Sequence, residues 1–402
     1  MRATFPLRGK VVVLALLAPT VAFAQDAPAP RLVWERPIEL PSVEPEDLLN
    51  DAAYGVLRMV ARPDGGVVIA AVEGRKGRTD TLEALRVVAL DGTGKDLWTR
   101  KLAVPGGNNK TARMLSAAID ASDPARTWVF QSWSTRDDVD QGVSRIVGLN
   151  RNGGMEIAVA NPRRQLAGSA ARMVVRSAVK LTPLADGSLL ALGTHYFGPP
   201  QWWYARYDRV GKLLWEQGSK GFPDLAEDGW ALPDGGASVL MIDAENGPEM
   251  PTFRRIAADG RTVENIRLED VAQFFACAVL IGPRSHVRGA SDYDVKLQRN
   301  VKTEILWHEI GRGISHRIDT GLRACSQIVR HGANAIFVSE ASEPDKKRLL
   351  LALAPDGVVR WRLELPGSLE VAALADGGAV VLREIREKDK PARLLLSRYA
   401  SP

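Results

Sequence analysis

Three groups of residues in this 402-residue chain have the types and spacing to do chemistry. The stretch "DDVDQG" (137–142) sets carboxylates at alternate positions, like part of a calcium loop. The glutamate that would complete an EF-hand is missing, so a solvated hairpin tip is expected and no metal site is assigned. The five histidines are scattered, and none stands at metal-ligand spacing from carboxylates. His195 and His316 are expected to reach one common face, where they could serve a histidine-dependent reaction. The third group is aromatic. "HYFGPPQWWYARY" (195–207) holds six of the chain's 25 Phe, Tyr and Trp residues. Nothing matches a G-x-S-x-G elbow, a phosphate-cradling loop or a zinc motif. No catalytic residue and no cofactor are therefore assigned.

These residues must be positioned by a scaffold, and the scaffold is written in repeats. One pattern is a turn between apolar runs: "ARPDGGVVIAAV" (61–72), "LADGSLLALGT" (184–194), "LPDGGASVLMI" (232–242) and "LADGGAVVLRE" (374–384). Asp-Gly between such runs marks a hairpin, because Gly supplies the positive φ of a tight turn. The other is "VVALDGTGKDLW" (87–98), "YARYDRVGKLLW" (204–215), "FRRIAADGRTVE" (253–264) and "LLALAPDGVVRW" (350–361), with weaker copies at 145–156 and 296–307. Together they describe a unit of four antiparallel strands, A to D. The first turn joins A to B and the second joins C to D. Units are expected near 54–102, 112–160, 172–219, 226–268, 270–310 and 320–365. A seventh begins at Leu369 and lacks strand D. The segment 31–41, with "LVWERPIEL" (32–40), resembles the other D strands and is expected to supply the missing one. The expectation is an all-β, seven-bladed β-propeller of four-stranded antiparallel blades, closed by the N-terminal strand joining the last blade. Trp34, Trp98, Trp215, Trp307 and Trp361 fall at the start of strand D and are expected to pack between blades.

The first 24 residues read as a secretory signal: Arg2, Arg8 and Lys10, then the apolar "VVVLALLA" (11–18), then Ala22-Phe23-Ala24 before Gln25. Cleavage is expected after Ala24, leaving 25–402 as one propeller domain in the periplasm or outside the cell. No other stretch approaches the ~18 apolar residues of a spanning helix. The signal carries three of the 53 Lys and Arg residues. Without it 50 basic residues face 48 acidic ones, a net charge of +2. That near-balance gives no warrant for a nucleic-acid partner.

Ala89-Leu90-Asp91, Gly94 and Trp98, repeated in Ala352-Leu353, Gly357 and Trp361, resemble the tryptophan-docking repeat of the quinoprotein-like (PQQ-like repeat) propeller superfamily. The resemblance implies the fold. The dehydrogenases of that superfamily typically have eight blades and often adjacent cysteines beside the quinone. Here Cys277 and Cys325 lie far apart, so the quinone chemistry is not carried over. The two cysteines occupy equivalent A strands of adjacent blades and are expected to be buried free thiols.

In a propeller the A–B and C–D turns share one face, and the B–C and D–A connections share the other. Here the first set is short and repetitive, and the second is long and different in every unit. Function is expected on the second face. By strand alternation Trp203 and Tyr207 belong to the core, and Tyr196, Phe197 and Trp202 are the candidates for an exposed hot spot, with His195 beside them. The expected activity is non-catalytic binding, by a monomer, of an envelope protein or polysaccharide. The alternative is a lyase or hydrolase acting on carbohydrate or lactone substrates at the channel mouth.

Overall fold

The computed structural model describes residues 21–23, 27–39, 57–75, 78–103, 112–135, 138–161, 175–196, 201–218, 225–243, 250–268, 275–294, 299–322, 325–339, 347–385 and 393–402. They form seven four-stranded antiparallel sheets arranged as the blades of a propeller. Blade 1 holds residues 57–103, blade 2 112–161, blade 3 175–218, blade 4 225–267, blade 5 275–322 and blade 6 325–366. Blade 7 takes Ser368–Ala373, Ala379–Ile385 and Arg393–Ala400 from the C-terminus. Its fourth strand is Arg31–Ile38, which pairs antiparallel with Arg393–Ala400. Val21–Phe23 adds a short parallel strand to the outer edge of blade 5.

Both faces of an inner strand are buried between neighbouring blades, which is why these strands read as unbroken apolar runs such as "VVIAAV" (67–72). The core is accordingly divided into seven clusters, one per joint. Val87 and Trp98 meet Val129 and Val147 across the joint of blades 1 and 2. Leu57 and Ile69 meet Leu382 and Leu396 across the joint of blades 7 and 1. In strand C of blade 3, Trp203, Ala205 and Tyr207 pack toward blade 2, while Tyr204 packs toward blade 4.

Each joint also has an outer fastening, made by the first inward residue of strand D against the next blade. The Trp98 indole donates to Arg151 O at 2.9 Å and lies flat over Gly153, where an added Cβ would meet the ring at 2.6 Å. Only glycine leaves that space, and Gly153 also has φ +74°. Trp34 repeats the contact with Gly92 O (3.0 Å) and Gly94, and Trp215 with Ala258 O (2.9 Å) and Gly260. Trp361 donates to Gly377 O at 2.9 Å and is fully buried. In blade 2 the equivalent residue is Ile157, set against Gly211. In blade 4 it is Glu264, which pairs with Arg284 at 2.6 Å.

Blade 5 departs from the sequence reading. The segment 296–307 is not a strand–turn–strand unit. Arg299–Glu309 is one continuous strand C, and the C–D turn follows at 310–312, with Gly311 at φ +86°. Strand D is Gly313–Leu322, so the blade extends past residue 310. Trp307 therefore belongs to strand C, buried between blades 5 and 6. The docking position is taken by His316, opposite Trp307 in register, with its ring over Gly357. The misplacement has a simple source: the turn here is "EIGRG" (309–313) and carries no Asp-Gly signal, so the tryptophan was the strongest marker in view.

The cysteines also differ from expectation. Cys325 is disulfide-bonded, and the chain's other cysteine is Cys277. Two features defeat the argument from blade spacing. The A strands are the innermost, where blades converge. Each cysteine also borders a β-bulge, between Phe275 and Cys277 and between Cys325 and Gln327, and a bulge re-aims its neighbouring side chains.

Candidate functional site: the charged central channel

Strand A of every blade faces the axis, and together these strands line a cavity of about 870 Å³. Its wall runs from the A–B turns, at Pro63, Ser122, Pro183 and Gly332, inward to a belt of charged side chains. The belt has a structural origin. Strands A of blades 3, 4 and 7 each carry a bulge, between Ala178 and Lys180, Ala226 and Asp228, and Ser368 and Glu370. The charged residue after each of these bulges lies in the channel wall.

Asp228 is the centre of this belt and is fully buried. Its Oδ2 accepts from Arg330 Nε at 2.8 Å and from the Leu280 amide at 2.9 Å. Its Oδ1 accepts from Arg330 Nη2 at 3.3 Å, and Lys180 Nζ stands 3.7 Å away. Arg330 also donates to Gly229 O at 2.5 Å and lies 4.9 Å over the Trp230 ring. One carboxylate thus joins blades 3, 4, 5 and 6. Burial opposes its ionisation, but the charges of Arg330 and Lys180 outweigh that cost and hold the carboxyl below the usual aspartate range.

The other acids of the channel lean the opposite way. Desolvation lifts Glu370 to about 7, against the pull of Arg58, 3.7 Å away, and Arg348. Desolvation also raises Asp120, although the Ser122 hydroxyl and amide both donate to it. His331 is lowered, chiefly by burial. A carboxyl that titrates near neutrality inside a cavity is suited to exchanging a proton or to turning from acceptor to donor.

A second polar cluster lies outside the channel, on the side of blade 5 away from blade 6. His286 and His308 stack with centroids 4.8 Å apart, and Arg288 Nη2 lies 3.2 Å from His308 Nε2. Burial, then the charges of His308 and Arg288, push His286 well below the ordinary histidine value.

The residues singled out from the sequence are not gathered here. His195 and Tyr196 end strand B of blade 3, and Trp202 is the second residue of strand C, paired with Thr194. Phe197 lies outside the described residues, as do parts of the other long connections. His316 sets its ring over Gly357 of blade 6. Among the described residues no group of three or more His, Cys, Asp or Glu side chains is placed to hold a metal. No helix is long and apolar enough to cross a membrane. The channel acids and bases were missed by sequence reasoning, yet they carry a signal. Arg58, Lys180, Asp228 and Glu370 each stand six residues before the turn aspartate of their own blade: Asp64, Asp186, Asp234 and Asp376.

No protein-family model matches the chain, and no curated protein sequence is significantly similar to it. Among solved structures, the WD40 β-propeller domain of Doa1 is similar at 11% identity and a TM-score of 0.45, covering 85% of this chain and 93% of that one. The β-propeller domain of the Trilobed protease from Pyrococcus furiosus is similar at 11% identity and a TM-score of 0.49, covering 86% and 93%. The fold assignment stands on the sheet topology.

Replacing Asp228 by Asn leaves Arg330 buried without its counter-charge. D228N is expected to lose about 3–5 kcal/mol in denaturant unfolding, and a midpoint within error of the parent would show that the pair contributes little. Glu370 gives a pH test. Its folded value of about 7 exceeds the ordinary glutamate value of 4.5, so the folded state holds the extra proton between them. Glu370 therefore costs stability increasingly as pH rises from 4.5 to 7. E370Q is expected to raise the melting temperature more at pH 8 than at pH 5, and an equal effect at both would refute the shift.

Proposed function

We propose that this chain is an exported, non-catalytic propeller that binds a protein or an envelope polymer through its loop-rich face. The observation that carries this reading is the difference between the two faces. The A–B and C–D connections between strands are uniformly short, as in 62–66, 91–95, 184–188, 208–212 and 374–378. The B–C and D–A connections are not long in every blade, as the sequence suggested, because strands B and C of blades 1 and 2 extend into them: they run from one residue at 367 and two at 76–77, 136–137 and 323–324 to the longer segments 104–111, 162–174, 244–249, 340–346 and 386–392. A rigid ring that varies its chain on one side only is built to present that side. The disulfide of Cys325 accords with an oxidising compartment, hence with cleavage after Ala24 and residence in the periplasm or outside the cell. In this reading the chain is a monomer and a non-quinone member of the PQQ-like repeat superfamily. Tyr196, Phe197 and Trp202, with His195, form the aromatic contact.

We also read the pairing of Arg31–Ile38 with Arg393–Ala400 as the closure of the ring. Three contacts support it: Trp34 on Gly92 O, Arg36 with Asp96 at 3.2 Å in blade 1, and Glu35 with Arg383 at 2.5 Å in blade 7. One strand thus grips both ends of the circle.

A second reading, a lyase or hydrolase of carbohydrate or lactone substrates, draws on the convergence of Glu370, Asp120 and His331 in one cavity.

Two experiments test the proposal. Cross-linking capture of the tagged protein in its own cells is expected to yield one dominant envelope component, lost with combined F197A and W202A at an unchanged melting temperature. Capture that survives both substitutions would remove the aromatic loop from the interface. Deleting residues 31–41 is expected to lower the melting temperature of the whole domain. A truncated protein that melts with the parent would end the closure reading.

A further inference from the structure

Among the described residues, strand D ends the sheet in every blade but the fifth, so its outer side is a backbone edge on which another strand can be added. The N-terminal segment meets two of these edges before it becomes strand D of blade 7. Val21–Phe23 runs parallel along blade 5, with Val21 opposite Arg317, Ala22 opposite Ile318 and Phe23 opposite Asp319. At blade 6 no ladder forms among the described residues; the Arg362 amide donates to Pro28 O at 3.0 Å. The sequence accounts for the difference. "APAP" (27–30) has prolines at alternate positions, which have no N–H to give and can only accept. "VAF" (21–23) has no proline and no charge, and valine and phenylalanine favour extended backbone. The acceptor differs from its counterparts too. Strand D of blade 5, Gly313–Leu322, has ten residues, against six to eight in the other blades. It has no proline, and its Arg317 is engaged by Glu304 at 3.3 Å. Edges are commonly guarded by proline or by cationic side chains such as the adjacent Arg100 and Lys101 of blade 1.

We propose that the outer edge of blade 5 is a docking surface that takes an extended, uncharged, proline-free segment of a protein partner as a fifth, parallel strand. Val21–Phe23 holds that place in the uncleaved chain, and cleavage after Ala24 bares it. Pairing of this kind draws its affinity from main-chain hydrogen bonds, so the partner is defined by its extended backbone more than by any one side chain. The inference rests on the reading of an exported binding protein. It uses the rim of the ring and not the loop-rich face, so the two surfaces can be tested apart.

The test is amide hydrogen exchange over residues 313–322, compared between the full chain and the chain cleaved after Ala24. Amides at 317–319 are expected to exchange roughly tenfold faster in the cleaved chain. A synthetic peptide of residues 19–25, "PTVAFAQ", is expected to restore slow exchange at about 1 mM. The same peptide N-methylated at Ala22 and Phe23 has lost the ladder donors and is expected to have no effect. Protection by the peptide should persist in the cleaved F197A/W202A variant, even if that variant no longer captures its cellular partner. The proposal is overturned by equal exchange in the two chains, by a methylated peptide that protects as well as the parent peptide, or by loss of protection in F197A/W202A. Dimers of the cleaved chain that shield this edge, read by sedimentation, would also overturn it, since the occupant would then be a second copy.

Discussion

A ring of seven wedges stands or falls on its joints, because each blade is a twisted sheet whose two faces must both be covered by neighbours. The indole of strand D provides the outer fastening in four of the seven joints. It combines a large flat surface with a single N–H; the next blade offers a carbonyl for the N–H in all four, and a glycine for the surface under Trp34, Trp98 and Trp215. The glycines are as necessary as the tryptophans. At Gly153 a Cβ would enter the Trp98 ring, so the two residues are one device divided between blades. Much of the rest follows from this geometry: the turn chemistry, the apolar runs on either side, and the convergence of the A strands on the axis.

Convergence on an axis creates the channel, and three members of its charged belt follow a bulge, while Arg58 joins them from a regularly paired strand. The extra residue turns Lys180, Asp228 and Glu370 toward the cavity. There they share a belt whose members differ widely in proton affinity. Asp228 is held ionised by two cations, and Glu370 is lifted by desolvation that its arginines only partly offset. The same type of side chain at the same height in the ring thus has two chemical characters, set by how close its nearest guanidinium comes.

The repeats were legible because Asp-Gly turns and the docking tryptophan are strong, local signals with one physical cause each. Where a blade lacked them the reading slipped. Blade 5 turns at "EIGRG" and docks with His316, so Trp307 was assigned to the wrong strand. The disulfide was missed because equivalence of sequence position was taken to mean equivalence of direction, which a bulge cancels. The channel belt was visible as a charge six residues before the turn aspartate in four blades. Its meaning appears only once four distant segments are brought around one axis. The aromatic stretch 195–207 was legible in its buried half, Trp203 and Tyr207, because period-two alternation sorts a strand into faces. Alternation has no bearing on Phe197, which is part of the connection before the strand.

Blade 5 is fastened unlike the others, and this gives the ring a clasp. On one side its outer contact is Glu264 with Arg284, an ion pair open to water and therefore weak. On the other side the contact is a histidine ring. The interior facing blade 4 holds a stacked His286–His308 pair where most joints hold aliphatic side chains. At its inner end the same blade is secured by the Leu280 amide on Asp228 and, toward blade 6, by the bond that Cys325 makes. A circle opened at one joint becomes an arc with two bare sheet faces, which proteases and chaperones recognise. The bond that Cys325 makes is the covalent member of this set, and without it the joint of blades 5 and 6 would be held by the histidine ring and its apolar core alone.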